Sequence, residues 1–129
     1  MSGRFLLDTN ILIAIFAGDA NVQQYLTQAN EIFVPVVALG ELYYGARKST
    51  RIEDNIRRID EFASNCTLLD CDLDTARHYG QIKTNLRVKG RPIPENDIWI
   101  AAVARQHGLT VVSRDTHFAE VESLSLEAW

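Results

Sequence analysis

No stretch of this chain is apolar for the ~18–20 residues that a helix needs to cross a bilayer. The N-terminus lacks the charged-then-apolar layout of a secretory leader, because Asp8 interrupts the first apolar run almost at once. No membrane partner and a cytoplasmic address are the resulting expectations. Cysteine is scarce, with only Cys66 and Cys71. Their spacing matches no common zinc pair and no second pair completes a site, so two free thiols, buried or half-buried, are expected. No glycine-rich phosphate loop is present, and no serine or cysteine nucleophile is evident with a histidine partner. Basic charge is also short. The net charge is −4, whereas a protein that holds nucleic acid by electrostatics alone is usually basic. That objection weakens if several acids share one cation, since a bound cation reverses the local field.

What is present is an ordinary globular composition, 47% hydrophobic and 23% charged over 129 residues. It suits one compact domain spanning residues 1–129. Short β-rich runs alternate with helical ones. Strands are predicted at Phe5-Leu6-Leu7, Ile32-Phe33-Val34, Thr67-Leu68-Leu69 and Thr110-Val111-Val112, with a short fifth at 124–126. Helices are predicted from Ile11 to Phe16 behind an Asn10 cap, over 22–29, and over 37–47. A further one carries Ile52, Ile56, Ile59 and Phe62 on one face. Asp72 caps a long helix reaching about Val88, and Asn96 caps one that Gly108 ends. Strands separated by helices imply right-handed crossovers and a parallel sheet, so the class is α/β.

In such sheets ligands sit beyond the carboxyl ends of strands, where the strand order reverses. Asp8 ends the first strand and Asp115 lies just past the fourth. They meet if those two strands are neighbours, which the alternation alone leaves open. Glu41 sits mid-helix beside Val37, Ala38, Tyr44 and Gly45, which predicts an apolar face on which a lone carboxylate would be costly. A salt bridge to an arginine is the plain explanation, and a shared cation is the sharper one. Asp97 shares its helix side with Ile100, Ala101 and Ala104, although a first-turn acid is favourable anyway.

Asp8, Glu41, Asp97 and Asp115 thus form a candidate oxygen-rich site for a hard cation such as Mg²⁺ or Mn²⁺, suited to phosphodiester hydrolysis by metal-activated water. Of the histidines only His117 is placed to reach it, and a surface-loop residue is the simpler reading. An aspartate-based phosphatase also places Asp after its first strand, but its general acid belongs two residues on, where this chain has Asn10.

The ordered motifs Leu7-Asp8-Thr9-Asn10, Gly40-Glu41-Leu42-Tyr43-Tyr44-Gly45, Asn96-Asp97-Ile98-Trp99-Ile100-Ala101-Ala102 and Val112-Ser113-Arg114-Asp115 with Phe118 resemble those of PIN-domain nucleases. The subgroup they most resemble is the VapC toxins of bacterial toxin–antitoxin pairs. The resemblance implies a five-stranded parallel sheet in order 3-2-1-4-5, flanked by helices. It implies Asp8, Asp97 and Asp115 as ligands of Mg²⁺ or Mn²⁺, with Glu41 as a ligand or water-positioning base. Thr9 is similar to the family's small polar residue behind the ligands. Where many relatives carry a hydroxyl residue shortly before the glutamate, this chain has Val36, Val37 and Ala38. An RNA substrate cut endonucleolytically, a homodimer and a cognate antitoxin are also implied. A PIN-fold module that binds RNA or a partner without cutting it is the alternative. Basic residues available for the RNA backbone are Arg47, Lys48 and Arg51 on one side and Arg87, Lys89 and Arg91 on the other.

Overall fold

The first apolar run becomes a strand buried on both faces. Phe5, Leu6 and Leu7 of β1 (Arg4–Leu7) are each at most 1% exposed, as expected of a central strand in a parallel sheet covered by helices. A computed structural model of the chain describes residues 3–129. The chain continues through α1 (Thr9–Phe16), α2 (Ala20–Gln28), β2 (Glu31–Pro35), α3 (Val36–Arg47) and α4 (Ile52–Ser64). It then forms β3 (Thr67–Leu69), α5 (Leu73–Lys89), α6 (Glu95–His107), β4 (Thr110–Val112), a 3-10 turn over Thr116–Glu120, and β5 (Leu126–Glu127).

The five strands are all parallel and lie in the order β3-β2-β1-β4-β5. Successive strands grow outward from β1 in one direction and from β4 in the other. The reversal therefore falls between β1 and β4, with Leu7 paired to Val112. This adjacency, left open by the alternation of elements, brings the carboxyl ends of the two strands side by side.

α6 is the most buried helix, with Ile98, Ile100, Ala101, Ala102, Val103 and Ala104 all at most 3% exposed. Its small residues let it pack closely, and α5 is among its partners. Asp72 and Thr75 form a reciprocal cap at the start of α5, and Gln106 of α6 donates to the same Asp72 carboxylate at 2.8 Å. α6 ends at Gly108, whose φ of 65° is the left-handed conformation that glycine adopts without a side-chain penalty. On α4, Ile59 is buried and Ile52, Ile56 and Phe62 are half-buried, in keeping with the helical spacing.

Some local expectations need correction. The residue preceding α1 is Asp8, not Asn10, and no side chain caps that helix. α6 begins after Pro94 rather than Asn96. β5 lies at Leu126–Glu127, later than 124–126. Cys66 is half-buried as expected, but Cys71 is exposed.

Candidate active site

Asp8 is the first residue beyond β1. Its N–H donates to the Val112 carbonyl of β4 at 3.0 Å, while its own carbonyl accepts from Ile11 and Leu12 and so starts α1. Its side chain is 4% exposed and accepts a hydrogen bond from Ser113 Oγ at 2.7 Å. The same Ser113 hydroxyl accepts from Asn10 Nδ2 at 3.2 Å and from the Asp115 N–H at 2.9 Å. One donor and two acceptor positions exhaust a hydroxyl's capacity. Ser113 is therefore the tie between the β1 and β4 ends. Asn10 completes it, because its Oδ1 accepts from the Arg114 N–H at 3.1 Å. Arg114 pairs with Asp19 at 2.9 Å and donates to the Trp129 carbonyl at 2.8 Å, pinning the exit from β4.

Asp115 precedes the 3-10 turn and accepts from the His117 N–H at 2.9 Å. The His117 ring also comes within range, with Nδ1 2.9 Å from Asp115 Oδ1 and 3.3 Å from Asp97 Oδ2. Asp97, in the first turn of α6, is 8% exposed. Ligand atoms of Asp97, Asp115 and His117 all lie within 4.8 Å of one another. Asp8 stands just outside that tight trio but is coupled to it electrically.

Burial pushes the Asp97 carboxyl from 3.8 up to about 6, and the negative charges of Asp8 and Asp115 push the same way, against the opposing pull of His117. Burial also raises Asp8 above its ordinary range. The Ser113 hydrogen bond works against that rise, and the charges of Glu41 and Asp115 add to it.

Glu41 is half-buried in α3, less enclosed than an apolar helix face implies, because Tyr44 and Gly45 are exposed. Among the described residues no ion pair or hydrogen bond holds its carboxylate. The arginine bridge that would have explained it plainly is absent from this set. Its charge is instead felt by Asp8.

A divalent cation fits these residues. The donor set is mostly carboxylate oxygen, the preference of hard cations, and the pull of His117 on Asp97 is outweighed by burial and the neighbouring charges. Beside Asp8, Thr9 Oγ1 is buried without a hydrogen-bond partner, an arrangement that ordinarily points to a bound water or ion. Three of the six basic residues on the flanks are engaged elsewhere. Arg51 pairs with Asp54 at 3.5 Å, Arg91 with Glu120 at 3.8 Å, and Lys89 donates to the Glu120 carbonyl.

A family model described as PIN domain matches residues 5–124. The chain belongs to the PIN domain family. It is 40% identical to Ribonuclease VapC2 of Haemophilus influenzae, with 98% of each chain covered. It is 39% identical to the tRNA(fMet)-specific endonuclease VapC of Shigella flexneri, again with 98% of each covered. Among solved structures it is similar to DNA-bound VapBC from Salmonella typhimurium, at TM-score 0.91 and 32% identity with 98% of each chain covered.

Within this PIN domain the four acids come from the β1 end, α3, the start of α6 and the β4 exit, as the motif order implied. Sequence reasoning gave no role to Ser113 and little weight to His117. A small hydroxyl directly after the buried pair Val111-Val112 was the available sign for Ser113. His117 had only its place two residues after Asp115.

Proposed function

We propose that this PIN domain is a divalent-metal-dependent endoribonuclease and the toxin of a toxin–antitoxin pair, acting in the cytoplasm on RNA. The observation that carries the reading is the convergence of Asp8, Asp97 and Asp115 where the strand order reverses, with Asp97 raised to about 6 by burial and like charge. Such a cluster is stable in its ionised form only with a cation to share. The ribonuclease and endonuclease names of the relatives support RNA as substrate. The VapBC complexes among similar structures support a small antitoxin partner, for which the acidic site offers a basic side chain a receptor. A homodimer completes the proposal. The long helix α5 exposes Ala76, Gly80, Thr84 and Val88 at four-residue spacing, a face that a second copy can approach closely.

Asp8, Asp97 and Asp115 would hold Mg²⁺ or Mn²⁺, which when bound lowers the pKa of water and offsets charge building on the phosphate. Ser113 fixes the rotamer of Asp8 and the backbone of Asp115 together. Glu41, free of any partner among the described residues, is left to accept a proton from the attacking water or to orient it. His117 sets the carboxylate planes of Asp97 and Asp115.

Two measurements test this reading. Adding Mn²⁺ or Mg²⁺ at about 100 times its Kd is expected to stabilise the fold by about 2.7 kcal/mol, and EDTA should reverse the effect. An unchanged thermal midpoint would remove the metal from the proposal. Ser113→Ala is expected to cut metal-dependent cleavage of RNA by about 10–100-fold, the usual effect of losing a residue that orients a ligand. Its fold should survive, as judged by circular dichroism, and full activity in this variant would deny the tie any catalytic consequence.

A further inference from the structure

A groove of about 580 Å³ lies between α1, α3 and α4 and has Glu41, one of the four acids, in its lining. At its inner end are Thr9, Glu41 and Asn96, next to Asp8 and Asp97 in sequence or charge. Further out lies Tyr44, 65% exposed, with Lys48 Nζ 4.3 Å from its ring centroid. Glu41, Tyr44 and Lys48 are spaced three and four residues apart on α3, so they form a row along one side of the helix. Facing them across the groove is Ile13, 55% exposed. Arg58 is held at the same wall, its guanidinium 5.2 Å from the Phe16 ring and donating to the Phe16 carbonyl at 3.2 Å.

Two features of this groove point to its occupant. Beyond Glu41, the only charged side chains lining it among the described residues are Lys48 and Arg58, in a chain of net charge −4. The groove is thus a cationic, apolar channel whose Thr9 and Asn96 adjoin the carboxylates Asp8 and Asp97 in sequence. Its most exposed lining ring, Tyr44, carries a cation on one face and has no aromatic stacking partner among the described residues. An unstacked aromatic beside a cation is what single-stranded RNA uses: a splayed base stacks on the ring and the neighbouring phosphate meets the charge.

We propose that Tyr44 and Lys48 form the binding platform for an unpaired base and its phosphate in the RNA, next to the nucleotide presented to the acids. This rests on the ribonuclease reading. Tyr44 contributes stacking, which is tolerant of base identity. Lys48 contributes one phosphate contact, and the small Gly45 and Ala46 leave the groove floor open beside them. The platform orders substrate and takes no part in the chemical step, so it governs KM.

The test uses the full-length protein with Mn²⁺ and a single-stranded oligoribonucleotide that it cleaves. Tyr44→Ala is expected to raise KM about tenfold with kcat within twofold, whereas Tyr44→Phe and Tyr44→Trp keep the wild-type KM. Lys48→Ala should reduce the salt dependence of binding by about one phosphate contact. Because Tyr44 is exposed, these variants are expected to keep the wild-type thermal midpoint. Wild-type KM in Tyr44→Ala overturns the platform and leaves the ribonuclease reading intact. If Tyr44→Ala instead weakens only binding of a protein partner, the groove belongs to that partner and the proposal is overturned. Failure of the wild-type protein to cut any RNA with either metal overturns both readings.

Discussion

Asp97→Asn is expected to lower metal-dependent RNA cleavage by about 10²–10³-fold while raising the thermal midpoint of the metal-free protein. The loss follows from removing one charge-bearing ligand, since a bound cation supplies several kcal/mol of transition-state stabilisation and each factor of ten is about 1.4 kcal/mol. The gain follows from the same carboxylate. A group that titrates at about 6 in the folded chain and near 3.8 when exposed opposes folding once ionised. Below 3.8 both states hold the proton and there is no cost. Between 3.8 and about 6 the unfolded chain releases it first, so stability falls as pH rises, and above 6 the cost is complete. It amounts to about 2–3 kcal/mol at neutral pH, or roughly 5–10 °C in Tm for a domain of this size. Asn has the same shape and no charge. In EDTA at pH 7.5 the variant should therefore melt higher than the parent, and at pH 4 the two should nearly coincide. Saturating Mn²⁺ should reverse the order, because only the parent keeps its full ligand set. A variant that melts no higher than the parent in EDTA would mean that the acids are not in electrostatic conflict.

Much of this arrangement is legible in the chain because the central strands are buried on both faces. Phe5-Leu6-Leu7 and Thr110-Val111-Val112 read as short apolar runs for that reason, and an acid soon after each is conspicuous. The observed strands agree with those readings to within about a residue, and β3 coincides at Thr67–Leu69. β5 is poorly legible because two residues at a sheet edge leave almost no pattern. Asn10 misleads for a physical reason. An Asn just before a helical run is a good local cap, but here its side chain is engaged by Ser113 and Arg114, more than a hundred residues away. Local preference lost to a long-range tie. Asn96 fails similarly, since Pro94 already ends the loop and its carbonyl takes the first helical hydrogen bonds. Glu41 shows the opposite limit. Helical spacing correctly places it with Val37 and Ala38, but spacing cannot reveal that the far end of that face, at Tyr44 and Gly45, opens into a groove. His117 reads as a loop residue because Asp97, its partner, lies twenty positions upstream on another element.

The cluster also depends on one apolar anchor, and Phe118→Ala is expected to show it. Phe118 is 1% exposed and is the sole buried residue of the 3-10 turn, which packs against α6. On either side of it the chain is exposed or half-buried from Arg114 to Glu120. Removing the ring should cost about 3–5 kcal/mol from lost burial and the cavity left behind. That is a large part of the 5–15 kcal/mol typical of a domain. Phe118→Leu, which refills most of the volume, should cost far less. The functional effect is separable from the loss of stability. Asp115 precedes the turn and His117 is its second residue, so the turn sets how close they come to Asp97 on the helix beneath. Without the anchor, the Ser113 hydroxyl still fixes the Asp115 backbone, but nothing of comparable strength fixes His117. Mn²⁺ affinity measured by calorimetry at 15 °C, where the variant remains folded, should therefore fall by about 10–100-fold. Added metal should also restore less stability to Phe118→Ala than to the parent. If stability drops as expected while Mn²⁺ affinity is unchanged, the backbone ties from Ser113 alone position Asp115, and His117 has no part in holding the cation.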